Sequence, residues 1–195
     1  MPQNIEIEFK NMLTKEEYFL VKDYFHFKEE HFFTQENYYF DTPSFSLKKL
    51  KSALRIREKN GKFELTLKQP YHDGLLETNE VISDKEAEEL FHGSALQNIN
   101  IIQLIKGMGI NPLEIKYFGA LQTTRAETDF KNGLIVLDHS CYLNKEDFEL
   151  EYEVTDRKKG SISFENLLNE LHIPIRKTDN KIMRFYKEKY RLLND

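Results

Sequence analysis

The sequence predicts an α+β fold in which at least eight mostly antiparallel strands make a closed or nearly closed sheet, with about five helices packed outside it. Three observations predict it. Asn60-Gly61, Asp73-Gly74 and Asn132-Gly133 each lie between runs of alternating apolar residues, the strongest short-range signal of an antiparallel hairpin. Several of those runs carry a full stripe of charge on one face and apolar side chains on the other. The segments between them open on residues that cap helices.

Taken in order, residues 4–10 ("NIEIEFK") alternate Glu6, Glu8 and Lys10 with Ile5, Ile7 and Phe9, a strand of two chemically distinct faces. Thr14 with Glu17 three residues later reads as a capping box opening "KEEYFLVKDYF". A strand is expected near 36–41, and strands at 51–59 and 62–69 flank Asn60-Gly61. A two-residue turn there sets Arg57 opposite Glu64, Arg55 opposite Thr66 and Ile56 opposite Leu65, so pattern and turn agree on one register. After a strand at 75–82, Ser83 with Glu86 opens "DKEAEELF", and a short helix is expected to follow Asn100 and stop near Gly107. Strands near 121–131 and 134–143 flank Asn132-Gly133; a two-residue turn at that pair sets Glu127 opposite Asp138 and Arg125 opposite Ser140. Two acids across a ladder repel unless a cation, protein or metal, stands near them. A strand at 148–154 follows, and Ser163 and Thr178 are the expected caps of "FENLLNELH" and "DNKIMRFYKEKYRLL".

The charged stripes differ in sign. Glu6 and Glu8, and Glu149, Glu151 and Glu153 of "FELEYEV", are acidic; Arg55 and Arg57 of "ALRIRE" and Lys68 of "FELTLK" are basic. One strand with such a stripe is accounted for by a solvated outer face. A barrel with a charge-lined lumen and helices outside satisfies all the stripes at once, and the pattern leaves these two readings side by side.

With 195 residues the chain fits a single domain, 1–195. A net charge of -5 argues against a protein built to coat nucleic acid, yet 28 Lys and Arg leave room for a local basic pocket. No apolar run is long enough to span a membrane, and the N-terminal residues lack the pattern of a signal peptide. Cys141 is the only cysteine, so neither an intrachain disulfide nor a cysteine zinc cluster forms; it is expected as a small buried or half-buried strand residue, and a reducing cytoplasm fits. The six histidines show no ligand-like spacing. The aromatics of "YFHFKEEHFF" are expected in a helix-to-strand core, with a homodimer interface as their second use.

"EIEFK" has the form E-x-E-x-K. It is followed in order by "YYFDT" (38–42), "ALRIRE", "LTLK", Arg125 in "TTRAE", Asp138 in "VLD", "ELEYE" and "NKIMR". This ordered series, spanning essentially the whole chain, resembles the CYTH superfamily, the triphosphate tunnel metalloenzymes whose name joins class IV adenylate cyclase and thiamine triphosphatase. The resemblance implies an antiparallel β-barrel tunnel that binds a triphosphate-containing small molecule with Mg²⁺ or Mn²⁺. It implies Glu6, Glu8, Asp138, Glu149, Glu151 and, with an offset register, Glu153 as metal ligands. Lys10, Arg55, Arg57, Lys68, Arg125, Lys181 and Arg184 become phosphate binders, Lys10 with the alternative of orienting carboxylates. Glu149 or Glu151 is the candidate acceptor of a proton from attacking water. Glu77 and Asn79 depart from the uniformly charged pair the family pattern leads one to expect. The implied function is metal-dependent triphosphate hydrolysis. The alternatives are adenylate cyclisation and a non-catalytic polyphosphate- or nucleotide-binding protein; an RNA 5′-triphosphatase is less attractive because no extra basic arm is present.

Overall fold

The computed structural model describes residues 3–72 and 74–194; Asp73, of the expected Asp73-Gly74 turn, lies outside the described residues. The elements run β1 (Gln3–Leu13), α1 (Lys15–Tyr24), β2 (Phe33–Asp41), α2 (Ser46–Lys49), β3 (Ala53–Lys59), β4 (Lys62–Tyr71), β5 (Gly74–Ile82), α3 (Asp84–Phe91), α4 (Ile99–Gly107), β6 (Lys116–Phe130), β7 (Gly133–Tyr142), β8 (Lys145–Val154), α5 (Arg157–Glu170) and α6 (Lys181–Asn194). The eight strands form a closed barrel in the order β1-β5-β4-β3-β2-β6-β7-β8. The chain makes two compact units, one of residues 1–5 and 36–121, the other of residues 6–35 and 122–195.

In the first unit β2 to β5 form an antiparallel meander. Asn60 and Gly61 both take positive φ, the conformation that a two-residue hairpin turn demands, and Arg57, Ile56 and Arg55 pair with Glu64, Leu65 and Thr66 as the pattern predicts. The apolar face carries Leu54, Ile56, Leu65 and Leu67, all fully buried, in one cluster with Ala87 and Leu90 of α3 and Ile101 and Ile105 of α4. Burying each such aliphatic side chain contributes about 1.5–3 kcal/mol. Ser83 accepts from the Glu86 amide at the start of α3, and Asn98 from the Ile101 amide at the start of α4, two residues before the expected start. Gly109, rather than Gly107, takes the positive φ that ends this helix. The four-residue α2 is too short to show periodicity, so the described residues hold six α-helices where about five were expected. Asp41 organises it, accepting from the Leu47 and Lys48 amides at 2.9 and 3.1 Å.

In the second unit the capping box forms as read: the Thr14 amide donates to Glu17 and the Glu17 amide to Thr14. The β6–β7 register differs from expectation. Phe130 pairs with Gly133, so the turn is Lys131-Asn132 with Lys131 at positive φ, and Arg125, not Glu127, stands opposite Asp138. Gly133 is required for another reason: a Cβ there would lie 2.3 Å from the Glu153 carbonyl oxygen and 2.7 Å from the Tyr152 ring. β7 turns into β8 through Leu143-Asn144, both at positive φ. Ile135, Leu137, Leu150 and Tyr152 face Phe164, Leu167 and Leu168 of α5 and Val21 of α1, with Phe27 in the same cluster and Phe25 and Phe32 packed against it. The aromatics of "YFHFKEEHFF" therefore serve mostly as core.

Two caps fall elsewhere than predicted. Asp156 accepts from the Lys159 amide and starts α5 two turns before Ser163, and the buried stripe of Phe164, Leu167 and Leu168 extends back to Gly160. Asn180 accepts from the Met183 amide at the start of α6, while the Thr178 hydroxyl is taken by the Met12 amide. Cys141 is exposed, not buried: on β7 it alternates with Ser140, which takes the buried side.

Candidate active site

Strand register gathers the acids. Across β1–β8, Glu8 pairs with Glu153, Lys10 with Glu151 and Met12 with Glu149; across β7–β8, Asp138 pairs with Glu149; across β6–β7, Arg125 pairs with Asp138. All these side chains share one sheet face, the face turned away from the apolar cluster. Asp138, Glu149 and Glu151 are almost completely buried, and one carboxylate oxygen from each lies within 4.8 Å of the other two. The acids that meet across a ladder here are Asp138 and Glu149, not the expected Glu127 and Asp138, because Glu127 pairs with Val136.

Cations balance it. Arg125 grips Asp138 with both arms of its guanidinium, Nε to Oδ1 at 2.7 Å and a terminal nitrogen to Oδ2 at 2.6 Å, and the same nitrogen donates to Glu151 at 3.1 Å. Lys181 reaches Asp138 and Glu151 at 2.7 Å each and also donates to Glu149. Lys10 bridges Glu8 at 2.7 Å and Glu151 at 3.5 Å, so it orients carboxylates in this state. Arg184, one helical turn beyond Lys181, donates to Glu149 and Asp147 at 3.0 Å. Glu6 and Glu153 lie on the same strands but outside the set of three converging oxygens.

The entry to α6 is pinned by β1. The Asn11 side chain, fully buried, donates to the Pro174 carbonyl and accepts from the Arg176 amide at 2.6 Å. Arg176 donates to both oxygens of Glu17 at 2.7 and 2.9 Å, so the residue that caps α1 also fastens the strap leading to Lys181.

These contacts decide the protonation states. Burial alone would raise the Glu151 carboxyl, but Lys181, Lys10 and Arg125 outweigh it and hold it well below the ordinary carboxylate range. Asp138 is likewise lowered: burial opposes, and Arg125 and Lys181 prevail. In return, Lys10, Lys181, Arg125 and Arg184 are all raised against their own desolvation by the carboxylates they touch. Asp138, Glu151 and these four cations therefore hold one another in their charged forms at neutral pH.

The first unit presents its own polar face. Arg57 donates to Asn37 at 3.2 Å, and Lys68 pairs with Glu77, its cross-strand partner. Arg55, Thr66 and Asn79 form one row across β3, β4 and β5, and each has a buried polar atom with no hydrogen-bond partner among the described residues: Arg55 Nε, the Thr66 hydroxyl and the Asn79 amide oxygen. Leaving such groups unpaired costs about 1–3 kcal/mol apiece, so a row of them marks a place prepared for a ligand or water. Glu77, whose role the sequence left open, is a counter-charge for Lys68.

Sequence reasoning missed Asp147, Asn11 and Glu17 as parts of the site. Asp147 was within reach, because "DFELEYE" extends the acidic alternation by one step. Asn11 and Glu17 gave no signal beyond strand and cap. The reading of the histidines is also corrected: His139 and Cys141, two apart on β7, share a face with Glu146 of β8, and their ligand atoms lie within 4.8 Å of one another.

A closed antiparallel barrel with buried carboxylates and buried cations interlocked on one polar sheet face is the architecture that the resemblance to the triphosphate tunnel class implied. The CYTH domain matches residues 4–186, and the chain belongs to the CYTH family. It is 51% identical over 189 residues, 97% of this chain and 98% of the other, to the Bacillus subtilis protein named "Putative triphosphatase YjbK". A solved Bacillus halodurans structure named a "putative adenylate cyclase" is 39% identical with a TM-score of 0.91, covering 95% of this chain and all of that one. The Hippeastrum protein HpAC1, described as an adenylyl cyclase candidate with a dominant triphosphatase activity, is 25% identical with a TM-score of 0.75, covering 94% and 95%.

Proposed function

We propose that the protein hydrolyses a triphosphate, inorganic tripolyphosphate or a small organic or nucleoside triphosphate, with Mg²⁺ or Mn²⁺. The observation that carries this reading is the interlock of Asp138, Glu149 and Glu151 with Lys10, Arg125, Lys181 and Arg184. Its donor set is all carboxylate, the chemistry that hard divalent cations prefer. Its charge balance points the same way. Among the described residues six carboxylates (Glu8, Glu127, Asp138, Asp147, Glu149 and Glu151) outnumber the four cations that touch them, so this cluster by itself repels an anion. Asp138, Glu149 and Glu151 would hold the metal, with Glu6, Glu8 and Glu153 as the further acids of the proposal. When bound, it would neutralise phosphate oxygens.

The chain's own residues do the rest. Arg125 and Arg184 present planar forks suited to two phosphate oxygens, and Lys10 and Lys181 act as point charges. Arg55, Arg57 and Lys68 belong to the phosphate-binding set as the resemblance implies, and the unpartnered Arg55 Nε supports this. Glu151, paired as it is, is a poor base. Phosphate oxygens that draw Lys10, Lys181 and Arg125 away remove what holds its pKa down, so the carboxylate becomes a competent proton acceptor as substrate binds. Glu149 is the other candidate for this role. Water attacks the terminal phosphorus in line as the bridging oxygen departs.

Hydrolysis is preferred to cyclisation because both the YjbK and HpAC1 names give a triphosphatase. We take residues 1–195 as one functional domain and its compartment as the cytoplasm; no helix among the described residues is long and apolar enough to cross a membrane. Phosphate release is to be measured with tripolyphosphate, thiamine triphosphate and ATP, each with Mg²⁺ or Mn²⁺ and with chelator. Metal-dependent release from at least one is expected. Cyclic AMP from ATP would replace the reading with a cyclase, and tight binding without release would replace it with a binding protein.

A further inference from the structure

On the sheet face opposite the carboxylate cluster, β7 and β8 bring three side chains together. His139 and Cys141 alternate with the inward Asp138 and Ser140, and Glu146 is the direct cross-strand partner of Cys141. The His139 Nε2 atom is the focus, 2.8 Å from a Glu146 carboxylate oxygen and 3.6 Å from the Cys141 sulfur. We propose that His139, Cys141 and Glu146 form a surface binding site for a late first-row divalent cation, Zn²⁺ above all, separate from the site of the hydrolytic reaction.

The donor set selects the metal class. One imidazole nitrogen, one thiolate and one carboxylate suit borderline-soft ions, whereas Mg²⁺ and Mn²⁺ prefer the all-oxygen set on the other face. The geometry selects a tetrahedral ion. Zinc bonds of about 2.0–2.1 Å to nitrogen and 2.3 Å to sulfur, opened at the tetrahedral angle, separate those two ligands by about 3.6 Å. The nitrogen and sulfur already stand at that spacing. The corresponding nitrogen-to-oxygen edge is about 3.3–3.4 Å, so Glu146, half exposed, needs to retreat by about half an ångström, which a surface carboxylate does freely.

The ring is also held for the task. His139 stacks on Phe148 with centroids 4.6 Å apart and planes inclined by 18°, and meets the Tyr18 ring edge at 6.2 Å. A fixed imidazole loses little freedom on ligation. The fourth position opens toward solvent. On β6, Gln122 is the register partner of Cys141 and is exposed, so a water or that amide completes the shell. An ion held there ties β7 to β8, the two strands that carry Asp138, Glu149 and Glu151 on their other face.

The test is zinc binding to the full chain, by competition with a chromophoric chelator in excess Mg²⁺ to occupy the carboxylate cluster. Wild type is expected to bind one Zn²⁺ with an affinity at least tenfold above that of Cys141→Ser and of His139→Gln, and zinc is expected to raise the thermal midpoint of wild type alone. Cobalt(II) is expected to give wild type a thiolate-to-metal charge-transfer band that Cys141→Ser lacks. Cys141 is exposed, so its serine variant keeps the fold. Equal zinc affinity in Cys141→Ser, or a cobalt spectrum without that band, would overturn the site. Glu151→Gln is expected to bind zinc as wild type does, which separates this site from the proposed hydrolysis.

Discussion

Glu151 is the residue on which the charges converge: Lys10, Arg125 and Lys181 all reach it. A buried ion mesh of this kind contributes little net stability, because desolvation takes back most of the attraction, and its natural explanation is chemistry. Glu151→Gln is expected to reduce triphosphate turnover at least a hundredfold while leaving the circular dichroism spectrum unchanged; turnover within a few-fold of wild type would remove Glu151 from the mechanism. Lys181→Ala takes one counter-charge from three buried carboxylates and is expected to cost about 3–5 kcal/mol. Mg²⁺ or Mn²⁺ should restore more stability to this variant than it adds to wild type, read as the shift in thermal midpoint. The signs of the pKa shifts set the pH window. Asp138 and Glu151 are lowered, so their stabilisation is present above the ordinary carboxylate pKa and is lost as pH falls through the folded values. Lys10 and Lys181 are raised, so theirs is present below about pH 10 and is lost only above it. From these groups the thermal midpoint is expected to stay level between about pH 5 and pH 10 and to fall in acid, more shallowly for Glu151→Gln.

At the scale of the element, turns decided what could be read in advance. Asn60-Gly61 is a turn whose residues accept positive φ without strain, and every pairing inferred from it is found. The β6–β7 register was two residues off because Asn132-Gly133 looks like the same signal, whereas that glycine is demanded by close packing against β8. Leu143-Asn144 was invisible for the opposite reason, since leucine carries no turn signal. Gly133→Ala is therefore expected to destabilise the protein by about 1–3 kcal/mol, measured by denaturant unfolding, although the residue is not at positive φ. The charged stripes were legible because alternation alone assigns a face. The strap from Pro174 to Thr178 was not, because Asn11 acts on it across more than 160 residues and from the apolar side of its strand. Asn11→Ala leaves the Arg176 amide without its partner and is expected to cost about 1–3 kcal/mol. It should also raise KM through misplaced Lys181 and Arg184, and an unchanged KM would make Asn11 purely structural.

At the scale of the molecule, local and distant pairings differ sharply. β3, β4 and β5 join through tight hairpins, whereas β1 pairs with β8 between residues roughly 140 apart. Pulsed hydrogen exchange during refolding is expected to protect the β3–β4–β5 amides first and those of β1–β8 last; simultaneous protection would count against this order. The proposed site depends on the slow part, since Lys10 comes from β1, three acids from β7 and β8, and Lys181 and Arg184 from α6. A ribosome therefore makes the acidic strands before it makes Lys181 and Arg184, two of the four cations that neutralise them. A nascent chain stalled before residue 181 holds Asp138, Glu149 and Glu151 with Arg125 and Lys10 alone. Until α6 is in place the carboxylate cluster lacks two of its four cations, so the activity proposed for it is expected to appear only once that helix has docked.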